Sequence, residues 1–131
     1  MSLEDIIKFK VLFYSQDGVN SPVIEYLNEL LKKNKEATIK CLDELKDLPI
    51  SVYNRSKNIK PFKNYKHNFF ELKVKQKNNE FRFFFIMEKA NIIVVHGFTK
   101  KTQKTEKRDL SQGVNTLELY LIDKKTINPF D

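Results

Sequence analysis

The sequence predicts an α+β domain with the element order β-α-α-β-β-β-α, and three observations predict it. Apolar residues recur at helical spacing between residues 21 and 48, with one short polar break. Three closely spaced segments between residues 69 and 99 alternate in the manner of strands, rich in Phe, Ile and Val. Leu110, Val114, Leu117 and Leu121 then form a clean i, i+4, i+7, i+11 stripe. No internal repeat, low-complexity tract or linker interrupts the chain, so residues 1–131 are expected to form one domain. The 40% apolar fraction, with 11 Phe and 5 Tyr, excludes disorder, because that much apolar surface offsets the entropy of folding.

The elements follow in order. Residues 8–14 read as a strand, ended by the turn signal Gln16-Asp17-Gly18. Ser21-Pro22 reads as a helix cap followed by proline at the first helical position, with Val23, Leu27, Leu30 and Leu31 behind it. A second helix is expected over residues 35–48, carrying Ile39, Leu42, Leu45 and Leu48 and stopped by Pro49. Asn34 suits the tight turn of an antiparallel helical hairpin. Residues 49–68 are a long polar connection, of a length that is usually functional or mobile in a compact domain. Strands are expected over 69–76, 80–87 and 91–99, turning at Asn78-Asn79 and at Lys89-Ala90-Asn91, which makes an antiparallel meander. The last helix runs from about 105 to 122, and Gly113 inside it costs about 1 kcal/mol relative to Ala.

The formal net charge of +7 is unevenly placed. Residues 1–54 carry 7 basic and 9 acidic groups, residues 55–108 carry 15 and 4, and residues 109–131 carry 2 and 4. One basic block inside a near-neutral frame is the footprint of a polyanion-binding face. The alternative is a solvated surface in a lysine-rich composition, since 21 of the basic residues are Lys and 3 are Arg. No apolar run is long enough to cross a membrane, and no signal peptide opens the chain. The lone Cys41 excludes an internal disulfide and a cysteine-based zinc site, and favours a reducing, cytoplasmic setting. On the second helix it reads as a core residue rather than a nucleophile.

Parity along the strands assigns the faces. Phe70, Leu72 and Val74 point one way and Glu71, Lys73 and Lys75 the other; Phe81, Phe83, Phe85 and Met87 oppose Arg82, Phe84 and Ile86. The simplest assembly packs the Phe-rich side under the helical hairpin and gathers Glu71, Lys73, Lys75 and Arg82 on the opposite, partly covered side. Arg82 there is either paired, with Glu71 or Glu88, or used on a ligand. The segment from His96 to Thr105, His-Gly-Phe-Thr-Lys-Lys-Thr-Gln-Lys-Thr, supplies an imidazole, three ammonium groups and several hydroxyls beside a helix N-terminus, a place that favours phosphate. Thr102 or Thr105 caps that helix. His96, grouped by parity with Ile92, Val94 and Phe98, is either a proton-transfer group or a hydrogen-bonded core histidine; His67 has weaker claims. No Gly-rich phosphate loop, metal-spaced His pair or glycosidase-like carboxylate pair occurs, so no cofactor and no metal are expected.

Three stretches together carry a family resemblance: Phe70-Glu71-Leu72-Lys73-Val74, Phe81-Arg82-Phe83-Phe84-Phe85, and Val95 through Thr105. They resemble the phage-derived, HigB-like branch of the RelE/ParE toxin superfamily, well over residues 59–121 and more loosely before that. The resemblance implies a small curved antiparallel sheet flanked by an N-terminal helical hairpin and a C-terminal helix. It implies a ribosome-dependent or free mRNA endoribonuclease, held inactive by a cognate antitoxin, here expected to be of the helix-turn-helix kind. Lys73, Arg82 and the pair Lys100 and Lys101 fall on the family's basic positions. Lys73 replaces the commoner arginine and so lacks a planar phosphate clamp. Phe81 replaces a frequent Tyr, Glu106 replaces a helix-starting proline, and the Tyr that stacks a base in some relatives is missing.

The implied chemistry is transesterification, in which the RNA 2′-OH attacks the adjacent phosphate and leaves a 2′,3′-cyclic phosphate and a 5′-OH. It needs proton transfer and positive charge on the phosphorane oxygens. Arg82 is expected at the phosphorane with Lys73 and Lys100 or Lys101 beside it. His96 is the first candidate for general acid and base, because imidazole ordinarily titrates near neutrality. Lys75, Lys104, Phe98 and Thr102 are expected to bind RNA. Two alternatives share the fold: a ParE-like topoisomerase poison, and a catalytically inactive RNA-binding module of phage origin.

Overall fold

A computed structural model describes residues 2–63, 65, 68–101 and 103–131, without the side chains of residues 6, 7 and 103–105. The chain runs α1 (Leu3–Lys8), β1 (Lys10–Tyr14), α2 (Pro22–Lys33), α3 (Lys35–Lys46), α4 (Leu48–Tyr53), β2 (Ile59–Pro61), β3 (Phe69–Gln76), β4 (Asn79–Glu88), β5 (Asn91–Thr99), α5 (Gln103–Asp123) and β6 (Thr126–Ile127). The strands form one six-stranded sheet in the order β2-β3-β4-β5-β1-β6. It is an α+β fold with the expected hairpin, meander and last helix, to which α1, α4, β2 and β6 are added.

The helical hairpin is built as its sequence suggests. Ser21 accepts a hydrogen bond from the Val23 N–H at 3.2 Å, and Pro22 follows at the first helical turn. Asn34 ends α2 and caps α3, its side chain accepting from the Ala37 N–H at 3.0 Å. Pro49 ends one helix only by starting another. It lies in the first turn of α4, where its missing N–H has no partner to lose.

The meander turns at Lys77-Asn78, one residue earlier than expected, since Gln76 pairs with Asn79, and at Lys89-Ala90, where Glu88 pairs with Asn91. The sheet as a whole is mixed rather than antiparallel. β1 runs parallel to β5, with Lys10 to Phe13 opposite Asn91 to Val94. A parallel pair needs a long crossover, and the helices with the two preceding meander strands supply it.

Each face of the sheet is covered. Phe81, Phe83 and Phe85 pack with Val23, Leu27, Leu30, Cys41 and Leu45 of the hairpin. Phe84, Ile86, Ile93 and Val95 pack with Leu117 and Tyr120 of α5 on the other side. Close approach needs glycine at two places. A Cβ on Gly97 would lie 2.8 Å from both the Phe83 and Tyr26 rings, and one on Gly113 would overlap the Phe84 ring.

A β-bulge between β4 and β5 decides where His96 points. Phe84 pairs with His96 but Phe85 pairs with Val94, so Val95 is an extra residue on β5. The inserted residue breaks the alternation. His96 therefore leaves the face of Ile92 and Val94, where parity placed it, and joins Phe84 and Phe98 beneath α5. The β1 register ends opposite Val94, so among the described residues the rest of β5 is paired on the β4 side alone.

Candidate functional site

Arg82 sits in a central strand and is only 9% exposed. Its Nη1 donates to Glu71 of β3 at 2.6 Å and to Glu106 of α5 at 3.4 Å, and its Nη2 donates to Glu80 of its own strand at 2.8 Å. Burial works against the charge on Arg82, but the Glu80 hydrogen bond and the Glu71 charge outweigh it and raise its pKa. The hydrogen bond from Arg82 holds the Glu80 carboxyl below its ordinary value. Lys100 reaches the same Glu106 oxygen at 3.6 Å. Lys73 stands opposite Arg82 in the register and Lys75 opposite Glu80. Sequence placement thus brings Arg82, Lys73, Lys75 and Lys100 together, yet three carboxylates already surround the guanidinium. The ion-pair alternative is the observed state of Arg82, with Glu71 as one partner; Glu88 instead binds Tyr120 and Lys124.

A second arrangement lies on the far side of β5. Where β1 stops, the open edge of β5 forms the floor of a cleft of about 710 Å³ between α2 and α5. His96 lines it, and its Nε2 lies 2.8 Å from Asp109 Oδ1, the two side chains being 12% and 9% exposed. Tyr26 of α2 reaches across the floor, its hydroxyl 2.7 Å from Thr99 Oγ1, and burial pushes the phenol far above its ordinary pKa. Lys33, Lys101 and Arg108 stand around the cleft, and none of them is ion-paired to another described residue. Glu25 and Glu29 line the α2 wall. These cations, unpaired among the described residues, contrast with the neutralised Arg82 group.

The remaining candidates separate. Phe98 is 5% exposed with its ring against Phe84 and His96, so it serves the core and offers a base little surface. Thr102, the side chain of Lys104, and His67 lie outside the described residues. Cys41 is fully buried, and burial pushes its thiol up to about 12, which suits a core residue and not a nucleophile. Among the described residues no group of three or more His, Cys, Asp or Glu could hold a metal ion, and no helix is long and apolar enough to cross a membrane. Asp109 was not anticipated. Its signal was an acid directly before the apolar stripe and four residues before Gly113, on the side of α5 that meets the sheet.

The family model described as phage-derived protein, Gp49-like, matches residues 25–118, a span that runs from α2 into α5 and includes both clusters. A comparison with curated proteins finds no match. With a match over well over half its length, and a sheet and helix arrangement compatible with the RelE-like fold, the chain belongs to the Gp49-like family of phage-derived proteins within the RelE/ParE-like toxin superfamily.

Proposed function

We propose that this chain is the toxin of a type II toxin–antitoxin pair, of the HigB-like kind, and that it cuts mRNA by attack of the 2′-OH on the adjacent phosphate. The observation that carries the reading is the His96–Asp109 pair in a cleft where Lys33, Lys101 and Arg108 have no ion-pair partner among the described residues. Imidazole held by a carboxylate moves the proton of the attacking hydroxyl, and the cations around the cleft are available to the phosphorane oxygens. Lys101 keeps its expected place beside the phosphorane and Arg108 takes that of Arg82, because the charges of Arg82 and Lys100 are met by Glu71, Glu80 and Glu106. In this reading Arg82 fixes α5 over β3 and β4. The partners are mRNA, met free or on the ribosome, and a cognate antitoxin whose acidic groups cover the basic face. The site is in the cytoplasm, and the chemistry asks for no metal.

Induced expression of the wild type and His96→Gln in a bacterial host, with primer-extension mapping of mRNA, tests it. The wild type should leave 5′-OH ends, and the variant should lose about 10²–10⁴-fold in cleavage. Wild-type cleavage by His96→Gln would sink the assignment. Intact RNA with induced DNA damage would point to a topoisomerase poison, and RNA binding without cleavage to an inactive module.

A further inference from the structure

We infer that Asp109 is the positioning residue for His96, selecting which ring nitrogen exchanges the proton; this rests on the reading of His96 as the proton-transfer group. An ionised carboxylate only accepts hydrogen bonds. At 2.8 Å from Asp109 Oδ1, Nε2 therefore carries the hydrogen, and Nδ1 is the nitrogen that serves the substrate.

The ring is held in other directions as well. Phe84 stacks on it at 5.7 Å and 22°, and Phe98 lies against it at 5.8 Å and 33°. Neither aromatic ring can choose a tautomer; the carboxylate can. Asp109 reaches the imidazole because α5 sits directly on the sheet one turn later, where a Cβ on Gly113 would be 3.4 Å from His96 Cβ. Asp109 is itself buried, so its charge is not dispersed by water and acts at close range on an imidazolium formed during the reaction.

Other charges also face this cleft. Glu25, Glu29 and Lys33 come from α2, Lys101 follows β5, and Arg108 precedes Asp109 on α5. They stand on the walls, whereas Asp109 is the charged group in hydrogen-bond contact with the ring among the described residues.

Two measurements test this. In the 15N-labelled wild-type protein, long-range nitrogen–proton correlation should show neutral His96 as the Nε2–H tautomer; the Nδ1–H tautomer would overturn the proposal whether or not any variant folds. In RNA cleavage by the purified protein, Asp109→Asn should lower kcat by about 10²-fold or more with KM changed less than about threefold. Wild-type kcat in Asp109→Asn, with cleavage abolished in His96→Gln, would reject Asp109 while leaving the His96 assignment standing. Wild-type cleavage by His96→Gln would reject both.

Discussion

Replacing Gly113 by alanine sets two effects of opposite sign against each other, and the structure decides between them. Helix propensity alone favours alanine by about 1 kcal/mol in the interior of α5. Against this, the new methyl would overlap the Phe84 ring, with Cε2 at 3.1 Å and His96 Cβ at 3.4 Å as further neighbours. Phe84 is 1% exposed and is enclosed by Phe62, Phe69, His96 and Phe98, so its ring has nowhere to swing. α5 must lift instead, and overpacking of this kind costs roughly 1–3 kcal/mol, toward the upper end where the neighbours are rigid. The net expectation is a loss of about 1–2 kcal/mol. With a urea dependence of about 2 kcal/mol per molar, the unfolding midpoint should fall by about 0.5–1 M. A rise in the midpoint, as propensity alone would give, would refute the close docking of α5.

Two further predictions concern the Arg82 group. Arg82→Met removes one cation from among three carboxylates, two of them on different elements, and should destabilise by about 3–5 kcal/mol, because the charges left behind lose their partner. Calorimetry should show a clear fall in Tm; a Tm close to that of the wild type would contradict the pairing. Glu80 is held below its ordinary pKa of 4.5 by the Arg82 hydrogen bond, and Glu88 likewise by the one from Lys124. Their contribution is complete above the unfolded-state pKa and is lost as pH falls through the lower folded-state values. Urea titrations should therefore show stability dropping below about pH 4.5, less steeply in Glu80→Gln; an equal slope in both proteins would exclude Glu80.

What could be read from the sequence was what local pattern controls. The first and last meander strands fall on 69–76 and 91–99 as alternation indicates, and the Ser21 and Asn34 caps act as their residue types suggest. Parity also sent Phe81, Phe83 and Phe85 beneath the hairpin. It failed at His96, because the single inserted residue Val95 reverses every later side chain, and nothing in an Ile-Ile-Val-Val run marks which residue is extra. β2 and β6 are too short to show a period, and α1 and α4 span six residues each. Glu106 was noticed only as a replacement for proline. Its pairing with Arg82 and Lys100, like that of Asp109 with His96, depends on how α5 crosses the sheet, a long-range fact that no local window contains.

The shape of the sheet margins bears on how a chain with 11 phenylalanines avoids self-association. One outer strand is three residues long, with Lys60 and Pro61 exposed, and the other is two residues long. A short margin bearing charge and proline offers a neighbouring molecule little backbone to pair with. The longer open margin, β5 beyond Val94, lies on the floor of the cleft between α2 and α5. Lys60, one lysine of the basic middle segment, therefore acts as a guard against edge-to-edge stacking, independently of any ligand.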